Sequence, residues 1–139
     1  MKFLRKYFSR IYYPIAWTII VIVLLTLPGS MLPTESTFFI PNFDKLVHIG
    51  LFGGFVLLWC VHYGSRQSSP RKLLRFFFIM FLVAVAFGIG TEYVQKYFIP
   101  MRYYDEGDII GDMMGAGIAY GIANLTLSNT AQSSPAGGQ

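Results

Sequence analysis

Charge is what this chain has least of: only 13% of its 139 residues are Asp, Glu, Lys or Arg, against roughly 25% in an ordinary soluble domain. Hydrophobic residues make up 54%, so a soluble fold would have to hide more apolar sequence than its polar residues can cover. Cysteine is nearly absent as well. Cys60 stands alone, which excludes an intrachain disulfide and any cysteine-based metal cluster; inside an apolar run it reads as a small packing residue. There is no H-E-x-x-H pair and no convincing internal repeat. Ser30 and Ser36 have no nucleophile motif around them.

What is present is four long apolar runs, at about 11–27, 46–63, 73–95 and 109–127. A helix needs roughly 17–25 such residues to cross a hydrocarbon core. These runs predict an all-α integral membrane protein: a single domain over 1–127 with four transmembrane helices in a compact bundle. Residues 128–139 are Ser, Gly, Gln and Pro-rich without charge, which predicts a disordered tail. The first run follows Lys2, Arg5, Lys6 and Arg10, as the core of a signal peptide would. Its length and the lack of an A-x-A-like site after it favour a retained anchor.

The formal charge of +4 and pI of about 9.3 would raise nucleic-acid binding in a soluble domain. Here the basic residues flank the spans, so no nucleic acid is expected. Lys and Arg number four before the first run, one between the first and second, four from Arg66 to Arg75 around the start of the third, and two between the third and fourth. Basic segments stay in the cytoplasm. Both termini and the loop from Arg66 to Arg75 are therefore expected inside, and the segments Pro28–Lys45 and Lys96–Gly107 outside. Phe38, Phe39, Ile40 and Phe43 in the first outer segment, and Tyr97, Phe98, Tyr103 and Tyr104 in the second, suit the headgroup level. Both loops are expected to lie at the interface.

All seven acids, Glu35, Asp44, Glu92, Asp105, Glu106, Asp108 and Asp112, fall in the outer loops or the outer ends of runs. Acids collecting where bases do not would explain the loop positions. It does not explain Glu92 and Asp112, which interrupt hydrophobic sequence, where ionisable groups are costly and by default mark function or pairing. At about 1.5 Å per residue, His48 lies roughly 6 Å inward of Asp44, Glu92 roughly 6 Å inward of Lys96, and Asp112 roughly 6 Å inward of Asp108. Three helices thus carry an ionisable group at one depth. The spacings Asp44/His48, Glu92/Gln95 and Asp108/Asp112 put each pair on one helical face. Taken singly, Gln95 is as well explained by a hydrogen bond to a neighbouring helix, and His48 by a satisfied core histidine.

Membrane helices associate through small residues and interhelical hydrogen bonds. Gly111, Gly115, Ala116, Gly117 and Gly121 make the fourth run the expected central helix. Gly50, Gly53 and Gly54 in the second, and Ala84, Gly88 and Gly90 in the third, offer faces to it. The first run, with Trp17 and many β-branched residues, is expected at the lipid-exposed edge.

The segments Asp44-Lys45-Leu46-Val47-His48 with Phe52, Glu92-Tyr93-Val94-Gln95, Arg102, and Asp108-Ile109-Ile110-Gly111-Asp112-Met113-Met114-Gly115 together resemble the VanZ-like family. These are small membrane proteins named for a member associated with low-level teicoplanin resistance. The resemblance runs from Asp44 to about Gly121. It departs from the commonest family pattern at Asp112, where an Asn often stands, and an acid there can ionise, bind a cation or carry a proton while Asn cannot. The resemblance implies a multi-pass protein of the bacterial cytoplasmic (inner) membrane acting at the cell envelope, and a role in how glycopeptides reach lipid-linked wall precursors.

Three functions follow as expectations. The first is a site that binds or acts on a membrane lipid headgroup or a lipid-linked peptidoglycan precursor. His48, Glu92 and Asp112 would form its acid/base or ligand cluster, and Lys45, Gln95, Arg102 and Asp108 would contact the ligand; Arg suits phosphate through its two aligned donors. No cofactor is required, although His48, Glu92 and Asp112 form an N and O donor set compatible with Zn or Mn. The second is a structural lock, the polar cluster merely holding the bundle while the protein engages an envelope partner. The third is a small proton-coupled transporter, weakened because no polar path crosses the membrane in one copy. The sequence leaves turnover and oligomeric state open.

Overall fold

The computed structural model describes residues 6–31, 42–67 and 69–128, excepting the side chains of 127 and 128. Among the described residues every regular element is helical. The four main helices are α1 (Tyr12–Leu25), α2 (Phe43–Gly64), α3 (Pro70–Phe98) and α4 (Glu106–Ala123), the last continued by a π-helical turn at Asn124–Ser128. A single 3-10 turn, Gly29–Met31, follows α1. Residues 32–41 of the first outer segment, with Ser36, Phe38, Phe39 and Ile40, and the tail beyond residue 128 lie outside the described residues.

Two of these helices, α2 and α3, are long and apolar enough to cross a membrane. With 29 residues, α3 is roughly 44 Å long at about 1.5 Å per residue. It starts on Pro70 at the first helical position, where the missing N–H has no intrahelical acceptor anyway. The 14 residues of α1 make roughly 21 Å, shorter than the run 11–27 suggested. Pro28 lies just beyond its end, and the chain has already turned at Thr26. In α4, Glu106, Asp108 and Asp112 interrupt the apolar sequence over 18 residues.

Successive helices alternate in direction. The end of α1 meets the end of α3, where Gln95 Nε2 donates to the Leu25 carbonyl at 2.9 Å and Gly29 N–H donates to the Pro100 carbonyl at 3.1 Å. The starts of α2 and α4 lie together, with Lys45 Nζ 2.9 Å from Asp105 Oδ2. At the opposite end His62 of α2 reaches the Ser9 carbonyl before α1.

The tightest seam runs between α2 and α4. A Cβ at Gly115 would collide with the Ile49 carbonyl, and one at Gly53 would sit 3.3 Å from the Gly115 carbonyl, so glycine is what lets the backbones touch. Below the polar end the core is Phe52, Phe55, Val56, Phe77, Ala84, Ala116 and Ala119. Helix α1 is the outlier. It buries only Pro14, Val21 and Leu25, and docks through Trp17, whose Nε1 donates to the Leu51 carbonyl at 2.9 Å while its ring fills the space a Cβ at Gly54 would need.

The distribution of polarity is inside-out. Ile19 is 56%, Phe78 50% and Ile118 55% exposed, while Glu92 is 0% and Asp112 1% exposed. Water-soluble domains place these residue types the other way round.

Candidate functional site

The site is assembled at the end of the bundle where α2 and α4 begin and α3 ends. Asp105 caps α4 by accepting the Gly107 N–H at 2.6 Å, a role for which Asp is among the preferred residues. One turn further, Asp108 and Asp112 project from α4 toward α2 because Gly111 between them lets the helices close: a Cβ there would lie 3.1 Å from the Lys45 carbonyl.

His48 lies between these two acids. Its Nδ1 is 2.8 Å from Asp112 Oδ1, and its Nε2 is 3.6 Å from Asp108 Oδ2. An ionised Asp112 can only accept, so Nδ1 carries the proton, and the lone pair of a neutral ring is then on Nε2. Asp112 is pressed from behind by Gly88 of α3, where a Cβ would come within 2.6 Å of Oδ2. That Oδ2 is buried and has no hydrogen-bond partner among the described residues.

Glu92 enters from α3. Its Oε2 accepts the Asp105 backbone N–H at 3.0 Å, tying the α3–α4 connection back over the site. Within that connection Met101 has a φ of 58°, a left-handed conformation that non-glycine residues adopt only at some cost. Glu92 Oε1 is buried without a partner among the described residues. One carboxylate oxygen of Glu92, one of Asp108 and a ring nitrogen of His48 all lie within 4.8 Å of one another.

Lys45 closes the mouth. Its Nζ is 2.9 Å from Asp105 Oδ2 and 3.4 Å from both Asp108 Oδ1 and Asp44 Oδ2. The ammonium holds the Asp105 carboxyl below the usual carboxylate range, helped by the Gly107 N–H. Arg102, in the same connection as Asp105, is half-buried, and its Nε finds no partner among the described residues.

His48, Asp108, Asp112, Glu92 and Lys45 are therefore brought together, and Arg102 stands in the α3–α4 connection, three residues before Asp105. Gln95 is not part of this group. Three residues on from Glu92, it is turned to α1, its amide spent on the Leu25 carbonyl. The compact N and O donor trio is also not the one read from sequence: Asp108 takes the place of Asp112, which stands behind His48 on the other ring nitrogen. Asp105 was legible only as a loop acid. An Asp three residues before another acid and ahead of an apolar run is a helix-start signal, and it could have drawn Asp105 toward the site.

The second histidine of α2, His62, belongs to a different environment. Its Nδ1 lies 2.8 Å from the Ser9 carbonyl and 2.9 Å from Arg66 Nη1. No family model, curated protein or solved structure matches this chain.

Proposed function

We propose that this chain is a four-pass, VanZ-like protein of the bacterial cytoplasmic membrane, with both termini inside. Its polar end faces outward and binds the phosphate-bearing headgroup of a membrane lipid or a lipid-linked wall precursor, in the manner of a protein that lowers glycopeptide susceptibility. The lipid-facing character of the bundle is supported by its apolar exterior and buried carboxylates, and the orientation by the basic residues gathered at the end holding Ser9, His62 and Arg66. Trp17 and Gln95 fix α1 to the other helices, which favours an anchor over a cleaved leader.

One observation carries the headgroup reading: the site holds more polar capacity than the fold consumes. Glu92 Oε1, Asp112 Oδ2 and Arg102 Nε are buried and unpartnered among the described residues. Buried polar groups that only lock a bundle are expected to be paired with one another, since an unpaired one costs free energy. Arg102 and Lys45 supply the cationic rim for phosphate.

The test is retention of phospholipid by the purified chain in native mass spectrometry from phosphatidylglycerol nanodiscs. Wild type is expected to carry bound lipid that Arg102→Ala loses. Equal retention by the variant would remove the headgroup reading. The structural lock draws support from Gln95, whose amide joins two helices and contributes nothing to the site. It would be favoured if Glu92→Gln left both lipid retention and teicoplanin susceptibility unchanged.

A further inference from the structure

We propose that the polar end holds one divalent transition-metal ion, Zn²⁺ or Mn²⁺, ligated by His48 Nε2, a Glu92 carboxylate oxygen and an Asp108 carboxylate oxygen. The placement of this ion beside a phosphate rests on the headgroup reading above; the ion site itself does not.

The first support is geometric. One ligand atom from each of the three residues lies within 4.8 Å of the others, and His48 Nε2 is 3.6 Å from Asp108 Oδ2. Bonds of about 2.0–2.2 Å to a shared ion place ligand atoms roughly 3–3.5 Å apart. Small side-chain rotations close that difference.

The second is the aim of His48. A metal-binding histidine characteristically donates its other ring N–H to a carboxylate, which fixes the tautomer and the ring plane. Asp112 does this at 2.8 Å, in a side chain with no exposure, and the free lone pair then points at Asp108. The carboxylate of Asp112 on Nδ1 strengthens the donor property of the ring.

The third is the spare oxygen of Glu92. Its Oε2 is spent on the Asp105 N–H, while Oε1 is fully buried with no partner among the described residues. A fully buried residue with an unspent carboxylate oxygen beside a second carboxylate is a costly arrangement for a fold to carry. A divalent cation answers it.

Charge points the same way. Among the described residues Lys45 is the one ammonium within the group, against the carboxylates of Asp44, Glu92, Asp105, Asp108 and Asp112. Lys45 also discriminates between two sets of ligands. Asp44, Asp105 and Asp108 form a second converging trio, but Lys45 Nζ already lies within 3.4 Å of all three. In the His48 trio that ammonium meets only Asp108, at Oδ1, and among the described residues no ion pair joins it to Glu92. Three protein ligands leave coordination positions for water or a phosphate oxygen, with the opening at Asp108 and Lys45.

The experiment is a metal titration of the tag-free full chain in phosphatidylglycerol nanodiscs, stripped with chelator. Zn²⁺ is added in competition with a chromophoric chelator, and Co²⁺ is followed by its visible absorption. Wild type is expected to take up one equivalent of either ion, with Co²⁺ bands of a nitrogen- and oxygen-ligated centre. Glu92→Gln and Asp108→Asn should each weaken Zn²⁺ binding by more than about 100-fold, Asp112→Asn by about 10- to 100-fold, and Asp44→Asn not at all. The wild-type titration decides the question even where a variant fails to fold: absence of stoichiometric Zn²⁺ or Co²⁺ uptake overturns the proposal. So does affinity unchanged in both Glu92→Gln and Asp108→Asn. Lipid retention separates the two readings. Metal bound without lipid retention removes the headgroup reading and keeps the ion site, whereas lipid retained by a chain that takes up no metal does the reverse.

Discussion

Helix α2 carries two histidines, His48 and His62, near its opposite ends, and they have almost nothing in common. Fourteen residues separate them, roughly 21 Å along the axis. His48 is 3% exposed and set between two aspartates. His62 is half-buried and meets a main-chain carbonyl and a guanidinium. Arg66 can only donate. If its Nη1, 2.9 Å away, bonds to the His62 ring, Nδ1 is the acceptor, and the Ser9 carbonyl is then held by Arg66 Nη1 at 2.8 Å instead. That arrangement joins Ser9, ahead of α1, to the end of α2. The polar end, by contrast, surrounds its histidine with acids and leaves oxygen atoms unspent. A histidine is thus a candidate for chemistry because of what its neighbours still have to offer, and its presence in an apolar helix says little by itself.

The strongest way to break this comparison is to remove each histidine in turn. His48→Leu strips the partner from the buried carboxylate of Asp112, a change that costs roughly 3–5 kcal/mol when a buried pair is broken. His62→Leu gives up one partly solvated hydrogen bond, about 1 kcal/mol. Reversible unfolding of the two variants in mixed detergent micelles should show this order. Equal losses would mean that His48 is an ordinary packing residue.

A second contrast tests the same two ends through glycine. In Gly88→Ala the added Cβ meets Asp112 Oδ2 at 2.6 Å and Asp112 Cβ at 3.0 Å. Asp112 cannot retreat without giving up His48, so overpacking of about 1–3 kcal/mol is expected, together with weakened Zn²⁺ uptake. Gly121→Ala, further toward the other end of α4, meets nothing within 4 Å. It should be neutral or gain up to about 1 kcal/mol from helix propensity. Thermal melting of both variants, read beside metal uptake, checks the pair.

That the chain forms long helices was legible, because each apolar run carries a continuous signal that little else in the sequence opposes. Their ends were not. The run at 46–63 is a helix from Phe43 to Gly64, and the run at 73–95 one from Pro70 to Phe98. The apolar runs stop short of Asp44, Lys45 and Lys96, but the helical backbone continues through all three. The site was legible in depth and not in direction. Helix rise places His48, Glu92 and Asp112 at one level, yet it cannot tell that Gln95, beside Glu92 in sequence, turns to α1. Nor does it tell that Asp108 and not Asp112 converges with Glu92. Those facts depend on how far each helix is rotated about its axis, which the contacts of Gly111, Gly115 and Gly88 settle together. The tie of Asp105 to Glu92 escaped because it is made by the backbone N–H, and a main-chain donor leaves no mark in the sequence.

Gln95 sharpens the division within the polar end itself. Replacing it by Leu removes the bond to the Leu25 carbonyl, which lies among the last carbonyls of α1 that have no partner inside the helix. Interhelical hydrogen bonds of this kind contribute about 0.6–2 kcal/mol. Gln95→Leu should therefore lower the melting temperature modestly while Zn²⁺ uptake and lipid retention stay at the wild-type level. Loss of metal uptake without loss of stability would place Gln95 in the site after all.

The smallest expected effect separates the rim from the buried interior. Asp105 is outside the helices, with a side chain 47% exposed, and its carboxyl is held below the usual carboxylate range by Lys45 and then by the Gly107 N–H. Its ionised form is thus favoured in the folded chain, so folding expels a proton as the pH drops into the range where the unfolded carboxyl is protonated. The contribution is complete above the ordinary Asp value of about 3.9 and is lost as the pH falls through the lower, folded value. Solvent screening at such an exposed position limits it to under about 1 kcal/mol. Asp105→Asn isolates this charge, because Asn caps a helix about as well as Asp. The difference in stability between wild type and Asp105→Asn, followed from about pH 6 down to about pH 2, should shrink toward zero at the acid end. A difference that stays near zero across that range would assign the contribution of Asp105 to its cap alone. Lys45 would then be the partner of Asp108, and the rim would be continuous with the buried site.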